Sequence, residues 1–520
     1  MRYLYHLALA CIIFATLLAR SFAQSKPDDT PQPATISAAK QTALDWLSQG
    51  DVHNRFGHIA DSIWSYAELG LQEHKSSALL IDTLKREGFT VETGLAGMPT
   101  CFVASFGSGK PVIGILAEFD ALPMVSQKAF SVDHDPVVEG GPGHGCGHNM
   151  MGPAAAAAAI AVKRAIEEHK LSGTIKYFGS PAEEMLVSRP YMIRAGLFEG
   201  VNAVINNHAS SEFKTDYGVH GTAAYSIIFR FEGKTAHGAS AWGGRSALDA
   251  VEIMNVATNF LREHLHFTHR MHYVIPRGGE APNVVPDKAS VWYYLRGTDE
   301  RMPDIFERVE NCAKGAALAS GTTLAEVKVI AATHQAHHNR ALATLIDENI
   351  RLVGMPEWTS DEQDFAVRFQ TRLGAEPKGM PTAVGRLSPP EAVFTGGASS
   401  DHGDVTLVVP TATVQFPGKV PGVQGHHWST VACGFGSAPH KGLNAGAKAM
   451  AGTAIDLLTR PATLQAIQAE FADYSKKHPY KPFLPDKAVP PLDMNAELMK
   501  QFIPLLQAHY VEEAQLERQK

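Results

Sequence analysis

The chain has 520 residues, 45% of them hydrophobic, and a formal net charge of −7. That length exceeds what a single core supports, so two or more domains are expected. The basic residues form no long run, which argues against nucleic acid or, once a leading segment is removed, a membrane as partner.

Residues 1–23 carry Arg2, an apolar run from Leu7 to Leu18, and the close Ser21, Phe22, Ala23. This reads as a cleaved signal peptide and predicts a secreted or periplasmic protein, because the run is shorter than the ~20 residues a spanning helix needs. Residues 24–36 are polar and proline-rich, a disordered leader. Cys11 goes with the signal, and Cys101, Cys312 and Cys433 support no assignable disulfide.

Apolar spacing from Ser37 to about Gly88 predicts two helices. Pro111–Ala117 is a continuous apolar run of the kind seen in strands buried on both faces, and it leads into Glu118, Phe119 and Asp120. The glycine-rich stretch 141–152, GPGHGCGHNMMG, precedes an alanine-rich helix reaching His169, with Asn149 as its N-cap. Thr174–Phe178 is a second strand, ending at Pro181, Ala182, Glu183 and Glu184, and Ala203–Asn206 is a third, ending at His208. Alternating strands and helices build a parallel sheet, whose sites lie beyond the strands' carboxyl ends. Asp120, Cys146, His148, Glu183, Glu184 and His208 therefore meet on one rim.

Between residues 217 and 333 the pattern becomes strand, helix, strand, strand, helix, strand, the order of a ferredoxin-like unit. Helices resume after His334, Val405–Val409 and Ala412–Phe416 read as late strands, and Lys441–Thr459 as a closing helix. The tail has proline clusters and a helical pattern over 495–518. The expected fold class is α/β with two domains. A central, mostly parallel sheet with flanking helices (37–216 and 334–460) carries an inserted α+β domain (217–333) and is followed by a C-terminal extension (461–520).

Cys146 and His148 stand two positions apart, so an extended backbone points both to one side, as two ligands of one metal require. A helix N-terminus behind them favours the thiolate. A buried thiol beside an unrelated histidine, or a cysteine nucleophile, are the alternatives; near neighbours in sequence seldom share a proton well. Adjacent Glu183 and Glu184 project differently, so one can bind metal while the other faces water. Position singles out His208, whereas His440, in SAPHKGLNAG before a helix, is a weaker candidate. The cluster His264, His266, His269, His272 and the cluster His334, His337, His338 read as surface or satisfied core residues.

GHGCGHN, PAEE, the histidine after the third strand, GKTAHGAS (233–240), APNVVPDKASVWYYLRG (281–297), SSDHGDV (399–405) and APHKG (438–442) together resemble the metal-dependent amidohydrolase and carboxypeptidase superfamily. Within it the chain is most similar to the aminobenzoyl-glutamate hydrolase group, over residues 40 to 460. That resemblance implies a zinc-peptidase-like fold whose inserted domain serves as lid and dimerisation unit. It also implies two divalent metal ions, with Cys146, His148, Glu184, His208 and His440 as ligands and Glu183 as general base; thiolate and imidazole ligands favour zinc, and the carboxylate also allows manganese. By the same route His237 would stabilise the oxyanion in a partner subunit's site, Asn283 and Arg296 would bind the substrate carboxylate, and Asp120 would orient ligands. Asn149 departs from the superfamily's commoner aspartate, and Asp401 gains no role.

The expected activity is hydrolysis of an amide between an acyl or aroyl group and an amino acid, by a homodimer. A dipeptidase or carboxypeptidase on the same scaffold is the near alternative. An exported binding protein with a structural metal belongs to another class, and the spare acid Glu183 argues against it, since structural zinc sites are closed by four ligands.

Overall fold

The computed structural model describes residues 36–390, 394 and 396–511. The predicted signal peptide, nearly all of the leader and the end of the tail helix lie outside these. The elements below belong to the compact unit that begins at Ala39.

Among the described residues the strands are β1 (Thr90–Thr93), β2 (Phe102–Ser108), β3 (Val112–Ala117), β4 (Gly173–Gly179), β5 (Ala203–Ser210), β6 (Gly218–His220), β7 (Ala223–Glu232), β8 (Arg270–Arg277), β9 (Lys288–Gly297), β10 (Thr323–Thr333), β11 (Ala336–His338) and β12 (Thr411–Pro417). The larger sheet runs β1-β2-β4-β3-β5-β12. Its β4/β3, β3/β5 and β5/β12 pairs are parallel and its β1/β2 and β2/β4 pairs antiparallel. Ile113, Ile115, Leu116 and Ala117 of β3 are fully buried, which is why this stretch reads as unbroken apolar sequence rather than alternating.

Helices His148–His169 and Ser437–Thr459 cover the sheet. Small residues allow close approach: a Cβ at Gly442 would come within 2.1 Å of the Pro417 carbonyl oxygen. Before β1 stand three helices, Ala38–Leu47, Gly50–Tyr66 and His74–Arg86, where the sequence predicted two. The unforeseen one carries two His and two Gly, yet buries Val52, Phe56, Ile59, Ala60 and Ile63 at helical spacing. Residues Val405–Val408 form the end of a helix, His402–Val408, with Val409 as its extended C-cap, and not the predicted strand. A five-residue apolar run is compatible with either, and its tertiary setting decides.

The inserted segment folds in the predicted order. Its sheet, β10-β7-β9-β8, is antiparallel throughout. Helices Ala247–Leu261 and Met302–Ser320 pack on it around a separate core that includes Phe229, Met254, Val291, Tyr293 and Val309. After the helix Pro461–Lys477 the chain crosses back over the structure. The Phe483 ring stacks on His334 at 3.8 Å, and Gln72 donates to the carbonyls of Leu492 and Met494. A last helix, Ala496–Leu506, buries Met499 and Leu506 against Leu69 and Val138.

Candidate active site and metal centre

The glycine-rich loop ends in Gly147, whose φ of +86° caps the helix His148–His169. A side chain here would be strained, and a Cβ would meet Met150 and Lys419 at 2.9 and 3.0 Å. Gly147, not Asn149, is thus the N-cap. Asn149 lies in the first turn, where its amide donates to the carbonyls of Gly434 (2.9 Å) and Ala60 (3.4 Å). The earlier start brings His148 onto the helix with its ring directed at the acids that follow β3.

Asp120 fixes that ring. His148 Nδ1 donates to Asp120 Oδ1 at 2.9 Å, while Asp120 Oδ2 accepts the backbone N–H of Glu184 at the same distance. Asp120 is 1% exposed, so one buried carboxylate aligns the imidazole and the PAEE turn together. The turn itself is strained, with Ala182 at φ +54° and Leu186 at +59°. The Ala182 N–H is held by Glu73 Oε1 at 2.8 Å.

His148 Nε2 then faces Glu118 Oε2 at 3.3 Å, Glu183 Oε2 at 3.8 Å and Glu184 Oε1 at 3.9 Å. His208 lies within β5 and not beyond it; its Nδ1 donates to the Ala209 carbonyl, leaving Nε2 at 3.4 Å from Cys146 Sγ. Donor atoms ~2.0–2.3 Å from one tetrahedral cation stand roughly 3.3–3.8 Å apart, so these separations are those of ligands around an ion. Among the described residues, three groups bring their candidate ligand atoms within 4.8 Å of one another: Cys146, His148, His208; Cys146, Glu184, His426; and Glu118, His148, Glu183. His148 Nε2, Glu118 Oε2 and Glu184 Oε1 are all buried with no hydrogen-bond partner among the described residues. Carboxylates left bare and crowded together are costly unless a cation joins them.

The electrostatics follow. Burial pushes the carboxyl of Glu183 well above the usual range, with Glu118 adding to the effect, and Glu184 is raised in the same way by burial and then Cys146. Burial alone would raise the Cys146 thiol, but Lys419, His208 and His148 outweigh it and hold it well below its ordinary value. The thiolate predicted from the helix terminus is thus favoured mainly by specific cations.

Other expected site residues lie elsewhere. His440 sits inside the helix Ser437–Thr459, with Nε2 2.9 Å from Asp61 Oδ1, and belongs to none of the three groups. His426 joins one of those groups: its Nε2 is 3.2 Å from Glu184 Oε2, on a backbone strained to φ +56°. The only sequence signal was the GHHW tetrapeptide in a glycine-bearing loop. His237 and Asn283 are exposed on the insert, joined through the backbone, with Gly238 N donating to Asn283 O at 2.7 Å. They are not brought to the cluster within this chain. Arg296, on β9, donates to Ser399 Oγ at 2.8 Å, and Glu183 is among the charges that act on it. Asp401 gains a place: it accepts from Ser188 Oγ, Arg189 N–H and the Arg189 guanidinium, all buried.

Comparison with known proteins makes this chain, with its pocket of acids, imidazoles and a thiol, a hydrolase of amide bonds. Residues 114–351 match peptidase family M20/M25/M40. One of the subunits of the p-aminobenzoyl-glutamate hydrolase of Escherichia coli K12 is 36% identical over 462 residues, covering 84% of this chain and 96% of that protein. A mouse Xaa-Arg dipeptidase is 28% identical over 463 residues, covering 85% and 95%. Among solved structures, an aminobenzoyl-glutamate utilization protein from Klebsiella pneumoniae superposes with a TM-score of 0.52 at 15% identity, over 81% of this chain and 97% of that one. The chain belongs to the M20 peptidase family.

Proposed function

We propose that this chain is a metal-dependent hydrolase of N-acyl or N-aroyl amino acids that works as an exported homodimer. The observation that carries the reading is the convergence of His148 Nε2, Glu118 Oε2 and Glu184 Oε1, buried and bare, beside Cys146 and His208. A divalent cation held there would polarise the scissile carbonyl and lower the pKa of water from about 15.7 toward about 7. Cys146, His148, Glu184 and His208 would hold it, with His426 taking the place first expected for His440. Thiolate and imidazole suit zinc, and the carboxylates admit manganese. Glu183, raised by burial, takes the proton of the attacking water and hands it to the leaving amine. Asp120 keeps His148 and the Glu184 backbone in register.

The insert supplies the remaining contacts. Arg296 and Asn283 bind the substrate's carboxylate, and His237, exposed here, reaches the site of a partner copy of the chain to stabilise the oxyanion. The similarity to a p-aminobenzoyl-glutamate hydrolase supports an aroyl-amino-acid substrate, and the Xaa-Arg dipeptidase relative keeps dipeptides as the second reading. Export rests on the arginine-led apolar run of residues 1–23.

The test is metal analysis of the pure protein followed by a panel of N-aroyl amino acids, N-acyl amino acids and dipeptides. Hydrolysis of the first two classes, lost on chelation and restored by zinc or manganese, is expected. Turnover that survives complete metal removal refutes the reading, and a clear preference for dipeptides moves it to the second.

A further inference from the structure

Glu118 has no role in the ligand set just described, yet it is built into the site as firmly as any ligand. It is the first residue after β3, 2% exposed. Its two oxygens are treated differently. Oε1 lies 2.7 Å from Arg189 Nη2. Oε2 has no hydrogen-bond partner among the described residues and lies 3.3 Å from the equally bare His148 Nε2.

Arg189 is itself fully buried and cannot turn away from this task, because its Nη1 and its backbone N–H are both taken by Asp401, which Ser188 Oγ also braces. A guanidinium that served only to neutralise an acid would grip both oxygens in a parallel fork. Here the fork is split between two acids, so one oxygen of Glu118 is tied back and the other left pointing at the imidazole. Four carboxylates, those of Glu118, Asp120, Glu183 and Glu184, thus surround His148, and the Glu118 member is the one a buried guanidinium holds.

We propose that Glu118 is a further oxygen donor of the metal centre, and that Arg189, braced by Asp401, is the positioning residue that aims it. The inference rests on the metal-dependent reading above and adds a hard ligand to a set otherwise led by thiolate and imidazole. Such an oxygen favours manganese over zinc relative to a site without it. It also gives SSDHGDV a function: Asp401 acts on the metal through two intervening side chains.

The experiment compares wild type, Glu118→Gln, Arg189→Lys and Arg189→Met by competition titration of zinc and of manganese against a chromogenic chelator, with circular dichroism recorded on the same samples. Glu118→Gln keeps the shape and is expected to weaken the hold on one ion about 10- to 100-fold, more for manganese than for zinc, with an unchanged spectrum. Arg189→Lys, which keeps the charge but loses the fork, is expected to weaken it less than Arg189→Met. Should Arg189→Met fail to fold, Glu118→Gln carries the test alone. Metal affinities in Glu118→Gln equal to wild type overturn the proposal, even if the melting temperature falls, because that is the mark of a purely structural ion pair. A wild-type protein that binds no divalent ion overturns the metal-dependent reading and this inference with it; a loaded wild type with an equally loaded Glu118→Gln overturns this inference only.

Discussion

Around His148 the acids are buried, and Glu118 and Glu184 are each tied on one side to a guanidinium or through a backbone group, whereas His237 and Asn283, on the insert, are exposed and held through backbone contacts. The two regions meet different demands. A cation site must be rigid before the ion arrives, since ligands that had to be ordered on binding would lose affinity to conformational entropy. Groups that grip a substrate must instead admit it first and close later, and residues on a separately packed unit can do so. Arg296 belongs to both regions: it lies on the insert's β9, yet is anchored to Ser399, two residues before the Asp401 that braces Arg189.

Glu183 tests that contrast hardest. Glu183→Gln keeps the shape and hydrogen-bonding reach of the side chain but removes the base, so turnover is expected to fall on the order of a hundred- to ten-thousandfold. Metal content should stay near that of wild type, measured by mass spectrometry on the same preparation. A variant that loses an ion along with activity would instead make Glu183 a ligand, a role its 3.8 Å approach to His148 Nε2 also allows.

On the insert, His237→Ala is expected to lower turnover on the order of a hundred- to a thousandfold, the scale of a lost oxyanion donor, with no change in metal content. Because this histidine lies exposed on the insert, its partner is expected to be another copy of the chain. Mixing His237→Ala with Glu183→Gln, each inactive, should then regenerate activity, as a mixed dimer contains one site with both groups. Absence of complementation in verified mixed dimers would place His237 in its own chain's site, reached by closure of the insert.

How much of this could be read from the residues alone depends on whether the signal was local. β3 and the helix His148–His169 were legible because burial on nearly all sides leaves unbroken apolar or alanine-rich runs. The insert was legible because its antiparallel strands, such as β9 from Val291 onward, alternate beside two amphipathic helices. Val405–Val409 misled, since a run that short carries no period. The cluster of Asp120, Cys146, His148, Glu183, Glu184 and His208 followed from one rule about strand ends. Arg189 escaped it because its partners, Glu118 and Asp401, lie 71 and 212 residues away in sequence. His426 escaped because an exposed loop histidine has no spacing relative to anything, while His440 attracted attention through a motif whose helix faces another way.

The smallest effect is expected at that residue. His440 is 9% exposed, its Nε2 lies 2.9 Å from Asp61 Oδ1 without a hydrogen bond, and Asp61 Oδ1 accepts the N–H of Gly436 at 3.1 Å. A Cβ on Gly57 would come within 2.4 Å of the His440 ring, so two helices are packed against each other through this imidazole. His440→Ala therefore leaves Asp61 without its ring partner and opens a space between the helices, with a stability loss of about 1–3 kcal/mol by chemical denaturation. Both metal ions should remain, and turnover should change no more than a few-fold. His426→Ala should do the reverse, leaving stability nearly intact and weakening the hold on the ion that Glu184 faces. If His440→Ala instead sheds an ion and His426→Ala does not, the imidazole beside Asp61 turns toward the metal in the working enzyme, and the loop of His426 belongs to substrate contact rather than to the cradle.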